Sequence, residues 1–308
     1  MTNRLSRKII VVGSTNMDMV VKTDHIPVPG ETVLSGSFFM NPGGKGANQA
    51  VAVARLGGEA VFISKLGSDI FGKQSFQLLD EEGIDTSHML SDNDLPSGVA
   101  MITVDQSGEN SIVVASGANA NLHPADLENA LDEIGLAGII LMQLEIPMDT
   151  VLFVAEYVAS RKAMVILNPA PARDLPAELL SRLDIITPNK TEAEMLSGIK
   201  VNNIENAKKA AKAIHEKGVK NVVVTMGPLG AVICQLGKIQ VVPAPKANAI
   251  DSTAAGDVFN GALAVALSED KSLTDAVKFA CEAAAISVTR LGAQSSIPYR
   301  NELIAAKI

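Results

Sequence analysis

The sequence predicts an α/β protein in which helices cover both faces of a mostly parallel sheet, with a small second β-sheet beside it. Short runs rich in Val and Ile alternate with amphipathic helical segments along most of the 308 residues, as in sheets whose strands are buried on both faces. Two regions, 17–40 and 97–117, contain β-like runs with no helix between them. Ligands of such folds bind at the carboxyl ends of the parallel strands, so polar residues there are the candidates for a site.

The individual elements of the main sheet follow from periodicity and from glycines at helix ends. The predicted strands are Lys8–Val12, Ala60–Lys65, Gly138–Leu144, Ala163–Leu167, Asp184–Thr187 and Asn221–Thr225. The predicted helices are Ala47–Leu56, Phe71–Glu82, Met148–Ser160, Ile204–Lys217, Gly256–Ser268 and Leu273–Thr289. Basic residues before the first strand faintly resemble a signal peptide, but the apolar run 9–12 is too short for one, which favours a buried strand.

The two helix-free regions predict a small sheet of their own. Their β-like runs are Met19–Lys22, Glu31–Phe38, Val99–Val104 and Ser111–Ala115, the last two forming a hairpin around the turn 105–110. A sheet of this kind over the ligand end would exclude water from a transfer reaction. The alternative is that these runs are antiparallel edge strands of the main sheet.

The composition argues against several functional classes. Aromatic residues make up 3% and the formal net charge is −8, so neither stacking platforms nor basic tracks for nucleic acid are expected. No apolar stretch approaches the length of a membrane span. Cys234 and Cys281 form no disulfide framework or CxxC pair, which fits a reducing cytoplasm. The four histidines show no metal-binding spacing.

The stretch DSTAAGDVFNG, residues 251–261, carries the strongest candidate for catalysis. An apolar helical pattern places Asp257 in a first turn, roughly opposite the apolar stripe, and predicts an unburied carboxylate. Backbone N–H groups of a first turn lack partners, and Ala254, Ala255 and Gly256 leave room for an anion to reach them. An acid there suits proton removal from a hydroxyl that attacks a phosphoryl group. Taken alone, the stretch leaves open that Asp257 only caps the helix.

A second glycine-rich stretch, NPGGKGANQA, also precedes a helix. It is not a dinucleotide fingerprint, because Gln49 stands where GxGxxG requires glycine, and it is not a Walker A loop, because Gly46 stands where Ser or Thr is required. ATP would therefore bind without a P-loop. Gly44 permits close backbone approach, while Lys45 and Asn48 offer hydrogen bonds to a polyhydroxylated substrate. For Lys45 the alternative is an ordinary loop lysine.

Polar side chains also follow the strands of the main sheet. Asn16 and Asp18 come directly after the first strand and project to one side if the chain stays extended, and such planar groups bind sugars. Glu145 ends the apolar run GIILMQLE, where an acid is not expected in the core.

Two later strand ends are candidates for nucleotide contacts. Asn189 and Glu192, in TPNKTEAE, have the i, i+3 spacing that places both on one helix face. They would order the waters of Mg²⁺; the alternative is a helix cap. Thr225 and Gly227 lie at the carboxyl end of another strand, where nucleotide contacts are expected.

These motifs together resemble the ribokinase (pfkB-type) carbohydrate kinase family over nearly the whole chain. The two glycine-rich stretches match the family's two signatures in order and separation. The matching motifs are GSTNMD, PGET, PGGKGANQA, GANANL, MQLE, LNPAPAR, ITPNKTEAE and DSTAAGDVFNG. They lie closer to the family's ribose-phosphorylating branch than to its fructokinase or adenosine kinase branches.

The resemblance implies ATP-dependent phosphorylation of D-ribose at O5, with Asp257 as general base and the N–H groups of Ala254, Ala255, Gly256 and Asp257 as an anion hole. Ribose hydroxyls would be held by Asn16, Asp18, Gly44, Lys45, Asn48, Glu145 and Asp257. Asn189 and Glu192 would organise Mg²⁺ and the phosphates, and the ATP site would be lined by Thr225, Gly227, Gly230, Gly256 and Cys281. Cys281 stands where some members carry an imidazole near the adenine. An activating K⁺ is implied at Asp251, Thr253, Ser287, Arg290, Gly292 and Ser296, several through backbone carbonyls.

The resemblance also implies the domain organisation. A Rossmann-like main domain would comprise 1–15, 41–96 and 118–308, and a β-sheet lid would comprise 16–40 and 97–117. Members of the family commonly form homodimers through this lid. The alternatives are a kinase for deoxyribose, another sugar or a nucleoside, and a non-catalytic sugar or nucleotide sensor, which would not need the acid at 257.

Overall fold

The structure is a computed structural model that describes residues 8–34 and 36–305. The basic segment before the first strand lies outside these ranges, as does Ser35. The strands are β1 (Lys8–Val12), β2 (Asn16–Lys22), β3 (Ser37–Gly43), β4 (Glu59–Ile63), β5 (Lys65–Gly67), β6 (Leu90–Asp92), β7 (Gly98–Val104), β8 (Asn110–Ala115), β9 (Ile139–Met142), β10 (Met164–Leu167), β11 (Ile185–Ile186), β12 (Asn221–Thr225), β13 (Ala231–Gln235) and β14 (Lys238–Val242). The α-helices are α1 (Lys45–Arg55), α2 (Ile70–Glu81), α3 (Leu131–Leu136), α4 (Met148–Val158), α5 (Ala177–Leu180), α6 (Lys190–Ser197), α7 (Ile204–Glu216), α8 (Ala255–Ser268), α9 (Leu273–Ser287) and α10 (Arg300–Ala305). The predicted helices agree with these bounds to within two residues.

The main sheet has the order β14-β13-β12-β11-β10-β9-β1-β4 within the described part of the chain. From β12 to β4 all neighbours are parallel, and Ile10 lies opposite both Val61 and Ile140. β13 and β14 add an antiparallel hairpin at one edge. The turn between them is Leu236-Gly237, with φ of 51° and 74°, and Leu-Gly is not the usual Asn-Gly signal for such a turn. The prediction of a mostly parallel sheet is confirmed, whereas this hairpin was not predicted.

Alternation along β1 divides the interior into two cores. Ile9 and Val11 point into a core formed with α1, α8 and α9. Ile10 and Val12 point into the core of the opposite face, formed with α4 and α7 among others. The prediction that helices cover both faces is therefore confirmed.

The helix α8 is apolar around most of its circumference and is enclosed by its neighbours α1 and α9. Gly261 allows the close approach of α1: a Cβ at this position would lie 2.5 Å from the Cβ of Ala52. This packing joins the two glycine-rich stretches of the sequence, because one precedes α1 and the other contains the start of α8.

The predicted small sheet forms, with the strand order β3-β2-β7-β8. It is separate from the main sheet, so the alternative of edge strands on the main sheet is excluded for the described residues. The β7–β8 hairpin is confirmed. The strand predicted over Glu31–Phe38 was wrong, since β3 begins at Ser37. Glu31 closes a local turn instead: its carboxylate accepts the N–H of Val28 at 3.0 Å.

None of the helices in the described residues combines the length and the apolar character needed to cross a membrane.

Candidate active site

The candidate site lies where the chain leaves β1 and where α1 begins. Gly44, the residue before α1, has φ of 89°, and a Cβ there would lie 2.6 Å from the backbone N of Asn16. A Cβ on Gly46 would lie 2.5 Å from the backbone N of Ser14. Only glycine fits both positions, so the predicted close backbone approach at Gly44 is confirmed. It brings the start of α1 against the first turn after β1.

Asp257 lies in the first turn of α8 and is buried, with 6% of its surface exposed. Nδ2 of Asn48 donates a hydrogen bond to Oδ2 of Asp257, and Nε2 of Gln49 donates one to Oδ1, both at 3.0 Å. The predicted unburied carboxylate was therefore wrong. The cause is the contact between α8 and α1, which covers the side of the first turn that the helical pattern left open. The acid is buried but hydrogen-bonded.

The electrostatics around Asp257 are those of a carboxylate cluster around one ammonium group. Burial raises the pKa of Asp257 above its ordinary value, although the ammonium of Lys45 opposes this. Burial alone would lower the pKa of Lys45, but Asp257, Glu145, Glu192 and Asp18 outweigh burial and leave it raised. Lys45 is therefore charged at neutral pH and favours the ionised form of the carboxylates near it. The alternative of an ordinary loop lysine does not describe this environment.

Glu145 ties the β9 end of the sheet to the start of α1. Its Oε2 accepts hydrogen bonds from Oγ of Ser14 at 2.6 Å and from the backbone N of Lys45 at 3.0 Å. Nζ of Lys45 lies 4.0 Å from Oε1. The acid lies at the boundary of the core, with a half-buried side chain, in agreement with its predicted exclusion from the strand interior.

Asn16 is held rigidly at the start of β2. Its Oδ1 accepts a hydrogen bond of 2.8 Å from Nδ2 of Asn119, and the same amide of Asn119 bonds both backbone groups of Thr15. A Cβ on Gly98 would lie 2.2 Å from Oδ1 of Asn16. The amide of Asn16 is thus fixed before any ligand arrives.

Asp18 follows on the same face of β2, as the alternate spacing predicted. It lies over the glycine-rich stretch, and a Cβ on Gly43 would lie 2.2 Å from its carboxylate. Burial, with further repulsion from Glu145 and Asp257, raises the pKa of Asp18 to about 7. Close to neutral pH the group therefore exchanges between acceptor-only and donor-plus-acceptor forms.

These side chains line a single cavity of about 900 Å³. It contains every residue that the sequence assigned to sugar hydroxyls: Asn16, Asp18, Gly44, Lys45, Asn48, Glu145 and Asp257. Strands β7 and β8 of the small sheet contribute Ala100, Ile102, Ile112 and Val114 to its wall. The cavity therefore lies between the main sheet and the small sheet.

The start of α8 also borders this cavity. Ala254 precedes the helix with φ of 57°, a left-handed conformation that is strained for a residue with a Cβ. A Cβ on Gly256 would meet nothing within 4 Å. The first turn of a helix presents N–H groups without intrahelical partners, and here the space in front of Gly256 is open. Of the four N–H groups predicted to form an anion hole, that of Ala255 bonds the carbonyl of Ser252 at 3.2 Å; the anion hole itself stays a prediction.

Asn189 and Glu192 form a capping box at the start of α6. Oδ1 of Asn189 accepts the N–H of Glu192 at 2.9 Å, and Oε2 of Glu192 accepts the N–H of Asn189 at 2.8 Å. Nδ2 of Asn189 also donates to Oε1 of Glu192. The capping alternative is thus the arrangement that the structure forms. Burial raises the pKa of Glu192 to about 7.

A capping role does not by itself prevent a contact with Mg²⁺. An ionised carboxylate has about four acceptor sites, and the capping box uses two of those on Glu192. The residues therefore fit an outer contact through metal-bound water, but they do not form a ready set of direct ligands. Within residues 8–34 and 36–305, no group of three or more His, Cys, Asp or Glu side chains has the arrangement of a metal centre.

The residues predicted to contact ATP do not line this cavity, although Ala254 and Asp257, on either side of Gly256, do. Gly227 has φ of 58° and open space where a Cβ would be, whereas a Cβ on Gly230 would lie 2.0 Å from the carbonyl oxygen of Val242. Gly230 is thus required by the β13–β14 hairpin itself. Cys281 is buried on α9, and burial raises the pKa of its thiol to about 12, so the thiol stays protonated at neutral pH.

The residues predicted for K⁺ lie in two loops that meet. The carboxylate of Asp251 accepts the N–H of Thr253 at 2.9 Å and that of Gly292 at 2.8 Å. The hydroxyl of Ser287 donates to Ala284 O and that of Ser296 to Ala293 O. The guanidinium of Arg290 is paired with Glu302. These side chains are occupied locally, so a cation here would depend on backbone carbonyls, as the resemblance implies.

Sequence reasoning missed four polar residues of the site: Ser14, Gln49, Asn119 and Gln143. Gln49 lies on the buried side of α1, with no exposed surface. A glutamine among the apolar positions of an amphipathic helix was the available signal, because buried polar groups need partners. Ser14 likewise stands two residues after β1, at the carboxyl end of a parallel strand.

Comparisons with known proteins agree with this arrangement. The model of the pfkB family carbohydrate kinases matches residues 6–300. The chain is 45% identical over 300 residues to a ribokinase of Haemophilus influenzae, covering 97% of this chain and 98% of that protein. It is 38% identical over 291 residues to a deoxyribokinase of Salmonella typhi, covering 94% and 95%.

A solved structure of a ribokinase from Arabidopsis thaliana, complexed with ribose and ATP, superimposes with a TM-score of 0.90 at 36% identity. The superposition covers 96% of this chain and 97% of that one. The fold and the site define a class of transferase in which a buried acid, at the start of a helix, lies between a polar cavity and an open helical turn. The chain belongs to the pfkB family of carbohydrate kinases, and it is a kinase of the ribokinase type.

Proposed function

We propose that this protein transfers the γ-phosphoryl group of ATP to O5 of D-ribose and so produces ribose 5-phosphate. The observation that carries the proposal is the carboxylate of Asp257, which lies between the polar cavity and the open first turn of α8. The relatives named ribokinase and the related structure complexed with ribose and ATP support ATP-dependent phosphorylation of ribose in general. The roles that we assign to individual residues are inferred from the geometry.

Asp257 acts in this proposal as the general base. Burial raises the pKa of Asp257, while the ammonium of Lys45 and the two amide donors oppose that rise and so favour the ionised form that a base needs. The carboxylate accepts the proton of the sugar hydroxyl as that oxygen attacks phosphorus. Phosphoryl transfer needs little covalent chemistry from the protein, so positioning and charge stabilisation carry most of the rate enhancement.

The cavity offers both donors and acceptors, as the hydroxyls of a sugar require. Among the described residues, Oδ1 of Asn48 is buried without a hydrogen-bond partner, while Nδ2 of the same amide is held by Asp257. An unpaired buried acceptor is costly unless a ligand supplies a donor. A ribose hydroxyl would satisfy it. Lys45 and Asp18, which also line the cavity, would bond further hydroxyls.

The first turn of α8 would hold the charge that develops on the transferred phosphoryl group. The N–H groups of Ala254, Gly256 and Asp257 would face the phosphate, whereas the N–H of Ala255 bonds the carbonyl of Ser252 at 3.2 Å. Fixed donors of this kind need no reorganisation during the reaction. Mg²⁺ would be held through its waters by Glu192 and by the ATP phosphates, and would neutralise their charge. Thr225, Gly227, Gly230 and Cys281 would border the nucleotide.

A monovalent cation is the proposed support of this anion hole. The loops of Asp251 and Gly292, joined by a 2.8 Å hydrogen bond, flank the turn that ends at Ala254. K⁺ bound by their carbonyls would stiffen the turn that carries the N–H donors. Equal activity in K⁺ and Na⁺ would remove this site from the proposal.

The small sheet is the proposed lid and the proposed homodimer interface. Its outward face exposes Phe38, Met40, Met101 and Val113, which alternate in register with the residues that face the cavity. A sheet that is apolar on both faces is incompletely covered in a monomer. A second copy of the chain would cover it.

A coupled assay of ADP formation with ribose, 2-deoxyribose, fructose and adenosine tests the proposal. Ribose should give the highest kcat/KM, and 2-deoxyribose should lose roughly 10² or more, because a missing hydroxyl leaves buried polar groups unpaired. A preference for 2-deoxyribose would support the second candidate, which the deoxyribokinase relative favours. No turnover of any sugar or nucleoside would support the sensor alternative.

A further inference from the structure

Gln49 bonds the proposed base directly, although it is not one of the residues that line the cavity. Its side chain is fully buried and does not line the cavity. Nε2 donates to Oδ1 of Asp257 at 3.0 Å and to Oδ1 of Asn168 at 3.1 Å. Oε1 accepts a hydrogen bond of 2.7 Å from Nε2 of Gln143. Both ends of this amide are therefore engaged.

The carboxylate fixes the orientation of the whole amide chain. An ionised carboxylate only accepts hydrogen bonds, so Gln49 must turn its NH₂ group toward Asp257. Its oxygen then faces Gln143, which must in turn present its own NH₂ group. Gln143 is also fully buried, so neither amide can exchange partners with bulk water. A reversal of either amide would bring oxygen against oxygen.

The chain of polar groups continues and returns to α8. Nδ2 of Asn168 reaches the carbonyl of Thr187 at 3.4 Å, and Oγ1 of Thr187 donates to Oδ1 of Asn260 at 2.6 Å. Nδ2 of Asn260 donates to the carbonyl of Gly256 at 2.8 Å. The first turn of α8 is thus held from the side chain of Asp257 and from the backbone next to it.

We propose that Gln49 is a positioning residue for the transfer reaction: by holding Oδ1 of Asp257 it directs Oδ2, on the side of Asn48 and the cavity, toward the sugar hydroxyl. The inference rests on the proposed function of Asp257. Asn48 lines the cavity whereas Gln49 lies behind it, so the two oxygens of the carboxylate have different surroundings. One is held by the protein interior, and the other meets the substrate.

Removal of the Gln49 donor should change the proton affinity of the base. The charged groups around Asp257 are Lys45 on α1, Glu145 after β9, Asp18 on β2 and Glu192 on α6. All of them remain in a Gln49 variant. A hydrogen bond donated to a carboxylate stabilises its ionised form, so the pKa of Asp257 rises when the donor is lost.

The test is the pH profile of Gln49→Met, which keeps the length of the side chain but has no donor. The acidic limb of kcat/KM should move to higher pH by roughly one unit, and kcat at pH 7 should fall about tenfold. KM for ribose should change little, because the groups that line the cavity are intact. Gln143→Met removes only the hydrogen bond that orients the amide of Gln49. It should shift the acidic limb of kcat/KM in the same direction, but by a smaller amount.

Two controls separate positioning from simple loss of stability. Val265→Ala removes buried volume from the same helix, two turns beyond Asp257, and should lower Tm without moving the acidic limb. The double variant Gln49→Met/Gln143→Met should show the same limb as Gln49→Met alone, because both changes act through one bond. If Gln49→Met does not fold, the shift in Gln143→Met decides.

The outcome can be distinguished from failure of the base assignment. Asp257→Asn with near-normal turnover would remove the base, and with it the proposed function on which Gln49 depends. If Asp257→Asn is inactive but the acidic limb of kcat/KM is unchanged in both glutamine variants, the role of Gln49 is wrong while the base assignment stands. A limb that moves to lower pH would also overturn the role of Gln49, because the sign of the interaction would be wrong.

Discussion

Nδ2 of Asn48 lies 3.0 Å from Oδ2 of Asp257, so two glycine-rich stretches 209 residues apart meet in one hydrogen bond. The Nδ2 donor of Asn48 is thus occupied by the proposed base, whereas its acceptor, Oδ1, has no partner in the protein and is available to a ligand in the cavity. Asn48, the proposed sugar contact, and Asp257, the proposed base, are directly bonded, so a substitution of one should alter the position of the other.

Asp257→Asn should lower kcat by roughly 10² or more, the range for loss of a general base. Ribose binding should stay nearly intact, because the cavity keeps its other groups and the amide is similar in size. Steady-state kinetics and calorimetric titration with ribose measure the two effects. The matched control is Asp275→Asn, which changes an acid at the equivalent place in α9. A similar loss of kcat in both variants would contradict a specific role for Asp257.

Asp18→Asn should stabilise the ligand-free protein at pH 8 while weakening ribose binding. The pKa of Asp18 is about 7 in the fold, above its ordinary value of 3.8. Between these values the folded state holds the proton that the unfolded chain has lost, so the stability contributed by this group falls as the pH rises. We expect Tm at pH 8 to rise by roughly 2–4 °C and the difference to vanish near pH 4. Thermal unfolding at both pH values is the measurement. A variant less stable than the parent at pH 8 would contradict the assignment.

Asn189→Ala tests whether the capping box of α6 also serves Mg²⁺ and ATP. Loss of the cap should cost about 1 kcal/mol of stability. Asn203→Ala removes the same kind of cap from α7, where Oδ1 of Asn203 accepts the N–H of Asn206 at 2.9 Å. Both variants should show similar losses of Tm. Only Asn189→Ala should raise KM for Mg-ATP, by about tenfold or more. Equal KM values would leave the box with a structural role alone.

The sequence was sufficient for those parts of the site that follow from the ends of parallel strands. Asn16, Asp18 and Glu145 come after β1 and β9, which are neighbours in the sheet. A parallel sheet brings such residues to one edge, so their meeting in one cavity could be predicted without knowledge of the tertiary contacts. The sequence also indicated the capping box at Asn189, as one of two interpretations of the Asn189 and Glu192 spacing.

The features that the sequence missed depend on contacts between distant helices. The burial of Asp257 results from the approach of α1, which Gly261 allows, and helical periodicity along α8 alone cannot show this. Gln49 was treated only as a residue that breaks a dinucleotide motif. Its bonds to Asp257 and Asn168 span 208 and 119 residues, beyond the reach of any local pattern.

Gly256→Ala and Gly261→Ala place the same methyl group on the same helix with opposite expected effects. A Cβ at Gly256 meets nothing within 4 Å, and alanine is favoured over glycine in a helix, so stability should be unchanged or slightly higher. The methyl group would stand where the phosphate approaches the first turn, so KM for ATP should rise and kcat should fall. A Cβ at Gly261 would lie 2.5 Å from Cβ of Ala52 and 2.9 Å from the carbonyl of Gln49. Gly261→Ala should therefore destabilise the fold by about 1–3 kcal/mol, despite the same gain in helix propensity. Denaturant titration and ATP kinetics on both variants test these expectations. Normal kinetics in Gly256→Ala would contradict binding of the phosphate at this turn. Full stability in Gly261→Ala would show that α1 and α8 can move apart without a loss of folding free energy.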